Sequence, residues 1–230
     1  TAARLGELAL EAGIPAGVLN VLPGFGHTVG KALALHMDVD TLVFTGSTKI
    51  AKQLMIYAGE SNMKRVWLEA GGKSANIVFA DAPCLKAAAE AAAAAICFNQ
   101  GEMCTAGSRL LIERSVKDEF MALLLEAMKG WKAGHALDPA TTVGALVDTG
   151  HLNSVLSYIE AGHAENAKLL CGGKRTLEET GGVYVEPTIF DNVTNSMRIA
   201  AEEIFGPVLS LITFDTTEEA IQIANASIHG

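Results

Sequence analysis

Apolar residues fall in two rhythms along this chain. Short apolar runs bounded by Gly, Pro, Asn or Asp predict strands at Val18–Leu22, Thr41–Phe44, Arg65–Leu68, Asn76–Phe79, Leu110–Ile112, Lys168–Cys171, Val183–Val185, Pro187–Phe190 and Val208–Phe214. Between them, apolar residues recur every third and fourth position. That spacing predicts helices over Leu5–Ala12, His27–His36, Ser47–Ala58, Ala87–Ile96, Val116–Met128, Leu152–Ala161 and Glu218–Ala226. The first helix ends at Gly13, with Pro15 beyond it. The alanine run from Ala87 to Ile96 reads as helix propensity and close packing, not as disorder. Gly134–Asp148 reads as loop. Strand, glycine turn and helix, then the same again, is the rhythm of a parallel sheet with crossover helices. No Ser/Pro-rich linker and no internal repeat interrupts it. The one sensible boundary lies near Ala70–Gly72, dividing 1–71 from 72–230.

The 230 residues, half of them hydrophobic, can bury a substantial core. A net charge of −9 argues against nucleic acid and anionic membranes as partners. No run approaches the ~18 uninterrupted apolar residues of a membrane span. Thr1–Ala12 is amphipathic, with Arg4 and Glu7, and lacks the charged start and cleavage site of a signal peptide. The four cysteines (Cys84, Cys97, Cys104, Cys171) show no C-x-x-C spacing and read as reduced thiols in a cytoplasmic protein. The six histidines are scattered, so no metal site is expected.

Candidate chemistry centres on Asn99–Ser108. Cys104 lies there between Gly101 and Gly107, after a helix and before a strand, with no large apolar neighbour to bury it. Glycine permits the turn and lets backbone N–H groups come close, as a nucleophile needs when it attacks a carbonyl. Free cysteine is more often a small buried hydrophobe. Glu69 closes the run Arg65–Leu68 and precedes Gly71-Gly72. A carboxylate at a strand end beside a glycine turn sits where sites are built in α/β proteins, although a solvated charge is the commoner case. Glu69 and Cys104 together could act as base and nucleophile. Gly46-Ser47-Thr48, between a strand and a helix, offers free N–H groups and a positive dipole end to an anion. Ser and Thr there are also ordinary caps.

Three stretches resemble signatures of the aldehyde dehydrogenase superfamily, in its order: Leu68–Ala75 its glutamic-acid signature, Asn99–Gly107 its cysteine signature, and Glu202-Glu203-Ile204-Phe205-Gly206-Pro207 its third hallmark. Ser61–Gly72 and Leu137–Thr142 are most similar to the γ-glutamyl-γ-aminobutyraldehyde dehydrogenases of putrescine breakdown. The resemblance covers essentially the whole chain. It implies an α/β fold: an incomplete parallel-sheet dinucleotide-binding half over 1–71, then an α/β catalytic domain over 72–230, truncated at its C-terminus. The chain then reads as an internal stretch of a longer protein, an expected homo-oligomer. The implied activity is oxidation of an aldehyde to a carboxylic acid with NAD or NADP. Cys104 would form a thiohemiacetal, hydride would pass to the nicotinamide, and Glu69 would deprotonate the water that hydrolyses the thioester. The Cys104 N–H would be one oxyanion donor; the family's other donor is an Asn outside this chain. For the cofactor, the resemblance implies Gly26 and Gly30, the turn residues Phe44, Thr45, Gly46, Ser47 and Ile50, then Ala70 and Gly71. Glu203 would take the nicotinamide-side ribose hydroxyls, and Phe205 would pack near the nicotinamide.

Three residues depart from the family pattern. Ala51 stands where a second glycine is common and adds a methyl near the expected pyrophosphate. Cys97 either closes the helix as a buried residue or faces the site, where it could pair oxidatively with Cys104. His151 stands near a glutamine that contacts ribose in many relatives, and the sequence leaves open whether it takes that role. A cofactor-independent cysteine hydrolase or thioesterase would use the same Cys and Glu, but it has no use for the ribose anchor Glu203. A non-catalytic relative is the third reading, and the chain alone is expected to be inactive.

Overall fold

The computed structural model describes residues 1–229, which group into two units, Thr1–Gly71 and Gly72–Gly230. In the first unit, α1 (Ala2–Glu11) stops where Gly13 turns left-handed at φ +89°. A single wide turn over Gly26–Gly30 runs into α2 (Lys31–Leu35). Strand β1 (Thr41–Thr45) and β2 (Arg65–Glu69) pair in parallel, Thr45 opposite Glu69, with α3 (Thr48–Gly59) as the crossover. Ser47 caps α3 by accepting the Ile50 N–H at 3.4 Å. The buried Lys64 ties the unit together by donating to the Ala34 carbonyl at 2.6 Å and to Ser61 Oγ at 2.8 Å.

Val18–Leu22 is not the expected strand. Gly17 turns left-handed at φ +91°, the Asn20 amide donates to the Gly17 carbonyl at 2.9 Å, and Val18, Leu19 and Leu22 stay exposed. Local turn bonds prevail because no described strand pairs with this run.

The second unit is built on a five-stranded sheet in the order β3-β4-β9-β8-β5. Its strands are β3 (Ala75–Val78), β4 (Arg109–Glu113), β5 (Lys168–Cys171), β8 (Thr188–Asp191) and β9 (Val208–Phe214). All neighbours run parallel except the edge pair β5 and β8. A small hairpin joins β6 (Arg175–Thr176), which no apolar run foreshadows, to β7 (Tyr184–Val185), which falls on the expected strand Val183–Val185. The helices are α4 (Leu85–Cys97), α5 (Lys117–Met128), α6 (Thr149–Ala164), the short α7 (Arg198–Ala201) and α8 (Thr217–Asn225). No helix among the described residues is long and apolar enough to cross a membrane.

Alternation along the central strands sorts the core into two layers. Leu110, Ile112, Leu209 and Leu211 pack with α4 and α5 residues such as Ala93, Ile96, Phe120 and Leu124. Leu111, Val208, Ile212 and Phe214 pack with Leu152, Val155 and Ile159 of α6, and with Ile199 and Ala220. This burial differs sharply from that of β1 and β2, where Val43 is 73% and Trp67 58% exposed. Local opening free energy follows buried apolar contact. Hydrogen exchange should therefore be slowest at the amides of β4 and β9 and fastest, among strands, at those of β1 and β2. Equal protection of the two sets would contradict this ranking.

Candidate active site

Helix α4 delivers the chain into the cysteine loop. Asn99, Gln100 and Gly101 are all left-handed, at φ +48°, +58° and +72°. Such backbone costs a non-glycine residue roughly 1 kcal/mol or more, so it persists only when held. Side chains hold it here. The Asn99 amide donates to the Glu102 carbonyl at 3.0 Å, Gln100 Oε1 accepts the Gly144 N–H at 2.9 Å, and Glu102 Oε1 accepts the Val147 N–H at 3.0 Å. The Gly107 N–H returns to the Ala95 carbonyl at 3.2 Å. Cys104 is left exposed at the crest, and its N–H takes no partner among the described residues. The far end is anchored by the buried Arg109, which donates to the carbonyls of Lys73, Ile223 and Ala224, each at 2.9 Å.

Two glycines let backbones meet this loop directly. A Cβ on Gly72 would collide with the Cys104 carbonyl, and one on Gly101 with the Gly206 carbonyl. The Gly72 N–H also donates to Glu203 Oε1 at 3.1 Å. The other Glu203 oxygen takes no hydrogen bond among the described residues. Phe205, 39% exposed, is left-handed at φ +56°. Within this unit the fold therefore brings together Cys104, Glu203 and Phe205, three of the residues singled out in the sequence. Glu202 instead accepts from Tyr158 Oη at 2.9 Å and pairs with Arg198 at 3.2 Å, which holds its carboxyl below the usual range.

In the first unit, the C-terminal ends of two parallel strands gather the other candidates. The Gly46 N–H donates to the Glu69 carbonyl at 3.0 Å, so the turn Thr45-Gly46-Ser47 and the exposed Glu69 carboxylate stand at one strand end. The Phe44 ring lies under Gly46, 2.5 Å from where a Cβ would be. Ala70 and Gly71 follow half-buried, and Ile50 is 45% exposed on the first turn of α3. Gly26 and Gly30 have open space where a side chain would stand. Uncovered glycines beside a turn, and a capped helix start with free N–H groups, fit the diphosphate of a dinucleotide.

Of the departures from the family pattern, Ala51 is buried at 3% exposure, so its methyl packs inside the unit. Cys97 is fully buried, its Sγ 3.9 Å from Met128 Sδ. Burial, with Cys171 nearby adding to it, pushes the Cys97 thiol up to about 12. Cys97 is thus the buried helix-end residue and not a second thiol facing the loop. His151 directs Nε2 at the Phe205 carbonyl, at 2.6 Å. Sequence reasoning missed Lys73, which is 3% exposed with an Nζ that finds no partner. Its place in a glycine-led signature gave no sign of burial.

The chain matches the aldehyde dehydrogenase family over residues 1–230. It belongs to that family, and its α/β fold is that of the family. It is 54% identical to the NADP/NAD-dependent aldehyde dehydrogenase PuuC of Escherichia coli (strain K12), over all of this chain and 46% of that protein. An indole-3-acetaldehyde dehydrogenase solved with NAD+ superposes with a TM-score of 0.97 at 76% identity, covering 98% of this chain and 46% of that one. A γ-glutamyl-γ-aminobutyraldehyde dehydrogenase of Burkholderia cenocepacia gives 0.95 at 56% identity, covering 98% and 45%. The chain spans about half the length of the curated relatives it matches.

Lys73 yields a pH prediction. Burial, reinforced by Arg109, pushes its ammonium down to about 7 from 10.5, against the opposing pull of Glu203 and Glu202. Between pH 7 and 10.5 the unfolded chain binds the proton that the folded chain has released, so this group makes stability rise with pH across that window. Below pH 7 the full burial cost remains. The slope can reach about 1.4 kcal/mol per pH unit. Lys73→Met should raise the denaturant midpoint at pH 7 and flatten the rise toward pH 10. An unchanged slope would show that Lys73 keeps its proton when folded.

Proposed function

We propose that the protein oxidises an aldehyde to a carboxylic acid with a nicotinamide dinucleotide, through a covalent intermediate on Cys104. The observation that carries this reading is the cysteine loop. It is an exposed thiol with its own N–H free, on a strained backbone pinned to the segment that holds Glu203 and Phe205. Residues 1–71 are read as cofactor-binding and 72–230 as catalytic. We place the protein in the cytoplasm as a homo-oligomer, with no nucleic-acid or membrane partner, in keeping with its net charge of −9.

The Cys104 thiolate adds to the aldehyde carbon. A C–S bond forms, and the carbonyl electron pair moves to oxygen. The Cys104 N–H donates to that oxyanion, and a donor so placed is worth ~10²–10³ in rate. A nicotinamide dinucleotide, when bound, would supply the two-electron oxidation of this carbon, so that the C=O re-forms as a thioester on Cys104. Glu69 then orients a water and takes its proton as it attacks the thioester. The C–S bond breaks, and the acid leaves with Cys104 restored as thiolate. Glu203, already holding one oxygen on the Gly72 N–H, presents the other to ribose hydroxyls. Phe205 offers a flat apolar face to the nicotinamide. Gly26, Gly30 and the Phe44–Ser47 turn, with Ile50, Ala70 and Gly71, seat the rest of the dinucleotide.

The substrate class we put first is an aminoaldehyde of putrescine catabolism such as γ-glutamyl-γ-aminobutyraldehyde, whose amine is capped as an amide, with indole-3-acetaldehyde as the comparison, after the relatives named above. In the full-length enzyme, Cys104→Ala should remove nearly all aldehyde-dependent NADH formation and leave dinucleotide affinity intact. Glu69→Gln should give a burst of NADH followed by turnover slowed ~10²–10⁴-fold, the usual cost of a lost general base. An Ala variant that still turns over, or a Gln variant slowed equally in every phase, would refute the respective role. Ester cleavage without any NADH formation would instead favour a cysteine hydrolase.

A further inference from the structure

One imidazole joins three segments of the second unit. His151 opens α6, where Asp148 Oδ1 accepts its backbone N–H at 2.7 Å. Its Nε2 stands 2.6 Å from the Phe205 carbonyl and 3.5 Å from Glu102 Oε1, two residues before Cys104 in the chain. A carbonyl only accepts, so Nε2 carries the proton. The two rings also meet edge-on, with centroids 6.1 Å apart. Phe205 needs such a hold: a non-glycine residue at φ +56° relaxes unless its surroundings fix it. Its neighbour Gly206 is closely packed, with its carbonyl against Gly101 and Val155 where a side chain would stand.

We propose that His151 is a positioning residue: by donating from Nε2 to the Phe205 carbonyl beside Glu102, it locks the left-handed Phe205 against the cysteine loop and so sets where the Phe205 ring stands relative to the Cys104 thiol. This rests on the reading of Phe205 as the residue that faces the nicotinamide. With Nε2 committed to the carbonyl, that nitrogen is not available as a ribose donor.

The test uses the full-length enzyme with His151→Leu and His151→Gln, the second of which keeps a donor. The first readout needs no cofactor: hydrogen exchange across Ile204–Val208. The Leu variant should exchange there about tenfold faster or more, and the Gln variant near the wild-type rate. The second readout is kinetic. The Leu variant should lose about tenfold to a hundredfold in kcat, the scale of a small misplacement of reacting groups, while KM for the aldehyde and Kd for the dinucleotide stay nearly constant. The Gln variant should recover most of that loss. Should the Leu variant not fold, His151→Asn, whose amide is too short to reach, takes its place. Unchanged protection in a folded Leu or Asn variant, or Gln behaving as Leu does, overturns the proposal. Increased exchange in a protein whose wild type forms no NADH would instead overturn the dehydrogenase reading and leave the clamp standing.

Discussion

The site depends on two places where backbone meets backbone with no room for a side chain. Gly72 lies against the Cys104 carbonyl and Gly101 against the Gly206 carbonyl. Together they tie the cysteine loop, at Cys104 and Gly101, to the signatures before and after it. Any Cβ at either position would displace peptide groups, which cannot swing aside as a flexible side chain can. The strained backbone of Asn99 and Gln100 persists because of this confinement, together with the side-chain bonds to Gly144 and Glu102. A loop held so firmly can present an exposed thiol without its collapsing into the core. That is the preorganisation a nucleophile and its oxyanion donor require.

The sheet beneath supplies the rigidity. Strands β4 and β9 are buried on both faces, and Arg109, the first residue of β4, pins the exit of the loop to Lys73 and to the end of α8. The price of that anchoring is a buried lysine beside the arginine. Lys73 is held low in its titration because water is excluded and a guanidinium stands nearby. The negative groups close by, Glu202 and Glu203, temper this, and Glu203 is also fixed by the Gly72 N–H. Positioning of the ribose-binding candidate and burial of the lysine thus belong to one local arrangement.

Much of this was legible in the sequence, and the part that was not has a physical reason. Val208–Phe214 was read to the residue, and Leu110–Ile112 to within a residue or two, because fully buried strands leave unbroken apolar runs. Cys104 was readable as accessible from its flanking glycines. Val18–Leu22 misled because an apolar run states only that burial is wanted, not that a strand partner is present. The short α7 and β6 are set by tertiary packing and carry too few residues for a period to show. Lys73, Arg109 and the contact between His151 and Phe205 join positions far apart in the chain, and no local pattern encodes such meetings.

The central claim is that Cys104 carries the substrate as a thioester, and mass spectrometry can observe that bond directly. The full-length Glu69→Gln enzyme, mixed with aldehyde and dinucleotide and quenched in acid, should yield a peptide containing Cys104 that is heavier by the acyl group of the substrate. The same peptide from a reaction without dinucleotide should be unmodified after quenching. An unmodified Cys104 peptide in the presence of accumulating NADH, or an acyl group found on another residue, would contradict the account.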